Sequence, residues 1–257
     1  MSKIKKILSE YVNLNRQISC VTCYDSSFAK ILSDSGIDII LVGDSLGMVI
    51  KGETNTHSVT MQEIIYHSKC VAKNKNSSIL MVDMPINSYI DEESAIKNSR
   101  EILKSNVDIV KLEYKDQHKI IIEKLISNNI PVCAHLGYLP QFFSELEDVR
   151  IYGKSDNEKN KIFNQAKILD DIGVDVILLE CVESDLAKEI TNISKTPVIG
   201  IGSGDYCNGQ VQVLYDIIGV SENPPKFSTN FLQGSKSVEE AIKKYKNHVS
   251  KLNTKNS

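Results

Sequence analysis

No apolar run in these 257 residues approaches the roughly 18 that a transmembrane helix requires. No basic block stands out either. Thirty Lys and Arg face 33 Asp and Glu, a formal net charge of −3, which argues against nucleic acid or an anionic membrane as the main partner. The opening residues, Met1 to Tyr11, are basic but lack an apolar segment and a small-residue cleavage site. Ile4, Ile7, Leu8 and Tyr11 follow helical spacing, so a short amphipathic helix is expected there and not a targeting signal. Matched Cys/His pairs are missing. Cys20-Val-Thr-Cys23 has the spacing of a redox or zinc pair, yet no second pair completes a site, and residues three apart on a strand point to opposite faces. The six cysteines are Cys20, Cys23, Cys70, Cys133, Cys181 and Cys207, four of them in or beside apolar runs. They read as buried thiols of a reduced, cytoplasmic protein. The G-x-G-x-x-G turn of a dinucleotide fold is absent after the first strand; Gly200-Ile-Gly202-Ser-Gly204 lacks its spacing and comes late.

What is present is an ordinary globular composition, 41% hydrophobic and 25% charged. Its length suits two small domains or one large α/β barrel. Short apolar runs, expected as strands, occupy residues 18–25, 39–44, 78–83, 109–113, 131–137, 176–180 and 197–204, with a short eighth strand at 225–227. Helical patterns separate them at 26–35, 61–73, 92–106, 117–129, 158–172 and 184–193, and again at 209–218 and 238–252. Thr60 and Glu63 form a capping-box pattern before the helix at 61. Two long loops, 47–59 and 138–157, are candidate binding loops. Eight strand-then-helix units without a linker indicate a single domain over 1–257, a (β/α)₈ barrel of the TIM type, with a doubly wound open sheet as the alternative.

In such barrels the site lies at the C-terminal ends of the strands. Expected strands here end in Asp25, Asp44, Asp83, Glu113, His135 and Glu180. Any one alone reads equally well as a helix cap or loop charge. Repetition in successive units is what gives them weight, because the fold gathers strand ends at one mouth. Carboxylates meeting there repel unless a cation joins them, and an oxygen-only set favours Mg²⁺ or a similar hard ion. Lys111 and Glu113, two apart on one strand, point to one face. Lys111 is then either the ion-pair partner of Glu113 or Asp83, or the counter-charge for an anionic substrate. His135 reads as a core histidine or a substrate contact. The apolar residues around Glu180 suit it to accept a proton near neutral pH, the alternative being a supporting carboxylate.

At these residues the chain resembles the ketopantoate hydroxymethyltransferase family, of the pyruvate/phosphoenolpyruvate-type barrels. The matching stretches include Tyr24-Asp-Ser-Ser-Phe-Ala, Leu41-Val-Gly-Asp-Ser-Leu-Gly-Met48, Val110-Lys-Leu-Glu113, Pro131-Val-Cys-Ala-His-Leu-Gly137, Pro140-Gln141, Leu179-Glu-Cys-Val182 and Pro197-Val-Ile-Gly-Ile-Gly202, in family order over nearly the whole chain. The resemblance implies transfer of a hydroxymethyl unit from 5,10-methylenetetrahydrofolate, the co-substrate, to 3-methyl-2-oxobutanoate. The product is 2-dehydropantoate, for pantothenate biosynthesis, formed through a Mg-stabilised enolate. It implies one Mg²⁺ per subunit on Asp44, Asp83 and Glu113, with Glu113 acting directly or through water. Ser45, Asp83, Lys111 and His135 would bind the oxoacid, and Glu180 would be the general base. It also implies a cytoplasmic homodecamer whose partners are these small molecules, with no nucleic acid and no membrane. Three carboxylates, Mg²⁺ and a monoanionic substrate sum to about −2, which gives Lys111 a place as a further cation.

The departures are Tyr114-Lys115 where two glycines are common, Asp148 to Gly153 in the long fifth loop, Tyr215 for a usual histidine and Ser203 for alanine. The rival readings are a folate-independent metal-dependent lyase or mutase of the same superfamily, and a lapsed barrel kept for assembly. Intact Asp44, Asp83, Lys111, Glu113 and Glu180 argue against the second.

Overall fold

The structure is a computed structural model and describes residues 2–143 and 149–252. In its first half the chain runs α1 (Lys3–Asn13), β1 (Ile18–Thr22), α2 (Ser26–Asp34), β2 (Ile39–Val42), α3 (Leu46–Val49), α4 (Met61–Ala72), β3 (Ile79–Asp83), α5 (Glu92–Leu103) and β4 (Ile109–Glu113). Then come α6 (Lys119–Ser127), β5 (Val132–Gly137), α7 (Asp156–Ile172), β6 (Val176–Glu180), α8 (Ser184–Ile193), β7 (Val198–Ile201), β8 (Gly209–Gln212), α9 (Leu214–Ile217) and α10 (Val238–Val249). Among the described residues the eight strands form a closed parallel barrel in sequence order, with β8 returning to β1 through the pair Cys20–Val211. The open-sheet alternative falls with that closure.

Strand alternation divides the apolar residues between two cores. Cys20, Ile39, Leu41, Met81, Ile109, Cys133, Val176, Leu178, Ile199 and Val211 fill the barrel. Val21, Ile40, Val42, Leu80, Val82, Val110, Leu112, Ala134, Ile177 and Leu179 face the surrounding helices. Cys20 and Cys23 accordingly fall in different cores, and all six cysteines are free. Burial pushes the Cys23 and Cys207 thiols up to about 12, so neither is a thiolate near neutral pH.

The amphipathic α1 closes the N-terminal end of the barrel. Its Ile4 and Leu8 join the inner core, and a fully buried leucine such as Leu8 contributes roughly 1.5–3 kcal/mol. Ser2 Oγ donates to Asp175, while Lys5 Nζ donates to the Val174 carbonyl at 2.7 Å and to Thr196 Oγ1 at 2.8 Å. Those acceptors lie just before β6 and β7. With this end plugged, the other is the open mouth.

The eighth strand is not where the pattern puts it. It is Gly209–Gln212, inside the stretch expected to be helical, whereas residues 225–227 form no strand. A Gly-Gln-Val-Gln run has one apolar residue and no alternation to read. It is a strand because β1 and β7 offer it hydrogen bonds on both sides. Glycine is needed at 209, since a Cβ there would run into the Ile18 carbonyl. Tyr245 of α10 secures the closure, donating 2.9 Å hydrogen bonds to the Cys20 and Gln210 carbonyls. Phe227 instead packs against the inner core near the mouth.

Candidate active site

Inward positions towards the C-terminal ends of β3 to β6 are occupied by Asp83, Lys111, Glu113, His135 and Glu180. Register sets Asp83 beside Lys111 and Glu113 beside His135 on neighbouring strands. Asp44 and Ser45 follow β2 in the turn that starts α3, where Ser45 Oγ lies 2.8 Å from the Tyr24 hydroxyl. All seven side chains line one cavity of about 930 Å³ at the mouth. Asp25, the remaining strand-end acid, does not join them. Its carboxylate caps α2, accepting from the Ser27 and Phe28 N–H groups at 2.8 and 2.9 Å, which is the alternative that a lone strand-end acid always carries.

Within the cavity Lys111 Nζ donates to Asp83 Oδ1 at 2.6 Å, and Asp83 Oδ2 accepts the Asp44 backbone N–H at 2.9 Å. Burial works against the lysine's charge, but Asp83 and Asp44 outweigh it and push its pKa up, so Lys111 stays cationic. The expected Glu113 alternative for its ion pair is not the one formed. Asp44 is pushed up to about 7, first by burial and then by the Asp83 charge. Burial, followed by Asp44, likewise raises Glu113 well above the usual carboxylate range. One lysine is too little positive charge for three buried carboxylates.

His135 is 1% exposed, and burial pushes its pKa down, so the ring is neutral. Its Nε2 lies 3.2 Å from Glu180 Oε2 without hydrogen-bond alignment, and among the described residues Nδ1 has no hydrogen-bond partner. Buried ring nitrogens left open towards a cavity are suited to a polar ligand. The Glu180 side chain is 20% exposed. It is therefore less apolar in its surroundings than the strand sequence implies, because the strand's leucines flank it while its carboxylate reaches the cavity.

Gln141 belongs to the Pro140-Gln141 stretch shared with the family, but nothing in the sequence assigns it a role. It sits in a 3₁₀ turn, Pro140–Phe142, inside the long fifth loop, where no periodicity marks one residue above its neighbours. Its side chain reaches Asp44 and its backbone reaches Glu113. The departures at 148–153 fall in the same loop; Asp148 lies outside the described residues, and Tyr152 pairs with Val182 in an isolated bridge. Tyr215 stacks on Tyr24, ring centroids 6.1 Å apart, at the cavity wall. Ser203 Oγ bonds the Val182 N–H and the Leu179 carbonyl, bracing the end of β6 beside Glu180.

Among the described residues no three Asp, Glu, His or Cys side chains stand in a metal-ligating cluster by themselves. The donor set still fits a hard divalent cation. Mg²⁺ commonly takes one or two carboxylates and completes its shell with water and ligand oxygens. Asp44 and Glu113, both driven towards protonation by burial, are the groups that a cation would relieve.

A family model described as ketopantoate hydroxymethyltransferase matches residues 3–253. The 3-methyl-2-oxobutanoate hydroxymethyltransferase of Marinobacter nauticus is 42% identical over 239 residues, covering 93% of this chain and 90% of that protein. The enzyme of the same name from Nitrosococcus oceani is 39% identical, covering 98% and 94%. Among solved structures, phosphonopyruvate hydrolase complexed with oxalate and Mg²⁺ superposes with a TM-score of 0.61 at 10% identity, covering 82% of this chain and 81% of that one. A 2,3-dimethylmalate lyase of the PEP mutase/isocitrate lyase superfamily gives 0.60 at 12% identity, covering 82% and 80%. At that identity the likeness is one of fold.

Proposed function

The chain belongs to the ketopantoate hydroxymethyltransferase family, and we propose that it transfers a hydroxymethyl unit from 5,10-methylenetetrahydrofolate to 3-methyl-2-oxobutanoate, giving 2-dehydropantoate for pantothenate biosynthesis. The observation that carries this reading is the meeting of Asp44, Asp83, Lys111, Glu113, His135 and Glu180 in one cavity. Asp44 and Asp83 would hold Mg²⁺, with Glu113 directly or through water. When bound, the ion supplies Lewis acidity where the substrate's oxo oxygen gains negative charge.

Lys111 provides the fixed positive charge that an anionic oxoacid needs inside a low-dielectric barrel. Ser45 and the neutral His135 offer hydrogen bonds that orient it. Glu180 reaches into the cavity from β6 and takes the proton from C3, leaving that carbon to attack the one-carbon unit carried by the folate. Both C–N bonds to that unit break, water supplies the hydroxyl oxygen, and the folate nitrogens take up protons and leave as tetrahydrofolate. A cavity of about 930 Å³ has room beyond a five-carbon oxoacid for part of a second substrate. Around this chemistry the reading places a single-domain, cytoplasmic protein that works as a homodecamer on small molecules. Among the described residues no helix is long and apolar enough to cross a membrane.

The test is exchange of the C3 proton of 3-methyl-2-oxobutanoate for deuterium, followed by NMR on protein with Mg²⁺ and no folate. Exchange is expected, with hydroxymethylated product appearing only when methylenetetrahydrofolate is added. No exchange would sink the mechanism, and product formation of another kind without folate would favour the lyase or mutase reading.

A further inference from the structure

We propose that Gln141 is the positioning residue for the two carboxylates Asp44 and Glu113, holding each through a different N–H, and that Tyr89 locks Gln141 in that orientation. The inference rests on the reading of Asp44 and Glu113 as the groups that hold a divalent cation.

Gln141 is 2% exposed. Its Nε2 donates to Asp44 Oδ2 at 2.8 Å and to the Met84 carbonyl at 3.0 Å. Its backbone N–H points at the Glu113 carboxylate, 3.1 Å from Oε1 and 3.2 Å from Oε2. Its Oε1 accepts from the Tyr89 hydroxyl at 2.5 Å. One residue of the β5–α7 loop therefore ties together the ends of β2, β3 and β4.

The amide has one workable orientation. A carboxylate and a carbonyl can only accept, so both must face the NH₂ group, while the oxygen must face the phenol that can donate. Turning the amide over would set its oxygen against two acceptors, in a place that water does not reach. Tyr89 makes that alternative costlier still, because its own buried hydroxyl would lose its acceptor.

The two donors also act on the right groups. Asp44 and Glu113 come from different strands and repel when ionised, so each needs its own anchor if they are to stay in place before a cation arrives. Hydrogen bonds from N–H groups favour the ionised forms and hold the carboxylate planes, leaving their remaining lone pairs for a ligand. The backbone donor survives any substitution at 141. The side-chain donor does not, so the residue can be tested through Asp44 alone.

The probe is Mn²⁺, titrated into metal-free protein and followed by electron paramagnetic resonance, with thermal melts on the same samples. Gln141→Leu is expected to weaken Mn²⁺ binding about 10–100-fold, the usual cost of removing a partner that orients a ligand. Tyr89→Phe, which keeps the ring and the amide, is expected to weaken it several-fold. If Gln141→Leu fails to fold, Tyr89→Phe carries the test. A merely structural residue would lower the melting temperature and leave the Mn²⁺ affinity of the folded protein unchanged; that result in either folded variant overturns the proposal. A wild-type protein that binds no Mn²⁺ would overturn it too, by removing the metal reading beneath it, and the two failures are told apart by the wild-type titration.

Discussion

Lys111 Nζ and Asp83 Oδ1 stand 2.6 Å apart with side chains only 7% and 3% exposed, so the lysine's charge is met inside the barrel by a carboxylate within hydrogen-bond reach. Removing one partner of such a pair leaves an uncompensated buried charge, which costs about 3–5 kcal/mol. Lys111→Met is therefore expected to lower the unfolding free energy by that order in a urea titration and to abolish oxoacid-dependent proton exchange. An unchanged urea midpoint would mean that the pair contributes nothing to stability.

Glu180→Gln keeps the shape of the side chain and removes its basicity. Exchange at C3 is expected to fall about 10²–10⁴-fold, the usual contribution of a positioned base. Oxoacid binding, measured by calorimetry, should persist because Lys111 and Asp83 are untouched. Exchange at the wild-type rate would take the base role away from Glu180.

The carboxyl of Asp44 sits at about 7 in the folded protein against an ordinary 3.8. Between those values the folded chain holds a proton that the unfolded chain has released. The stability from this group is thus complete below about pH 4 and is lost as pH rises through about 7, with a slope of at most ~1.4 kcal/mol per pH unit. The measurement is the difference in unfolding free energy between wild type and Asp44→Asn, both treated with chelator. That difference should move against the wild type as pH rises, and a flat difference would refute the buried, proton-holding Asp44. Because a cation must displace this proton, stabilisation by added Mg²⁺ should grow over the same interval.

Asp25 offers a contrast, being a helix cap outside the cavity. Asp25→Ala is expected to cost about 0.5–2 kcal/mol of stability and to leave proton exchange at its wild-type rate. A loss of exchange in the folded variant would return Asp25 to the site.

How much of this was legible depends on the kind of residue. Asp83, Lys111, Glu113, His135 and Glu180 end apolar runs, where an ionisable group is conspicuous, and all of them reach the cavity. Asp25 looked the same and went elsewhere, because a strand end that leads directly into a helix offers a carboxylate two free N–H groups. β8 is not legible in the sequence, because Gly209-Gln-Val-Gln212 has no pattern of its own and the neighbouring strands supply its reason to extend. Pro140-Gln141 is a family-like stretch, yet the role of Gln141 is hidden in the sequence, because a polar loop residue shows nothing of the four groups, from three strand ends and from Tyr89, that it meets in space.

The order of residues along the chain determined alternation: which side chains of the first seven strands face the barrel and which the helices, and which of those strands finish in a charged group. Those properties are local, set by the two-residue repeat of a strand and the 3.6-residue repeat of a helix. Which charges pair was decided by the closed barrel alone. Lys111 meets Asp83 across a strand boundary and not Glu113 two residues away, because neighbours on one strand face stay about 7 Å apart while registered partners on adjacent strands come within reach of a hydrogen bond.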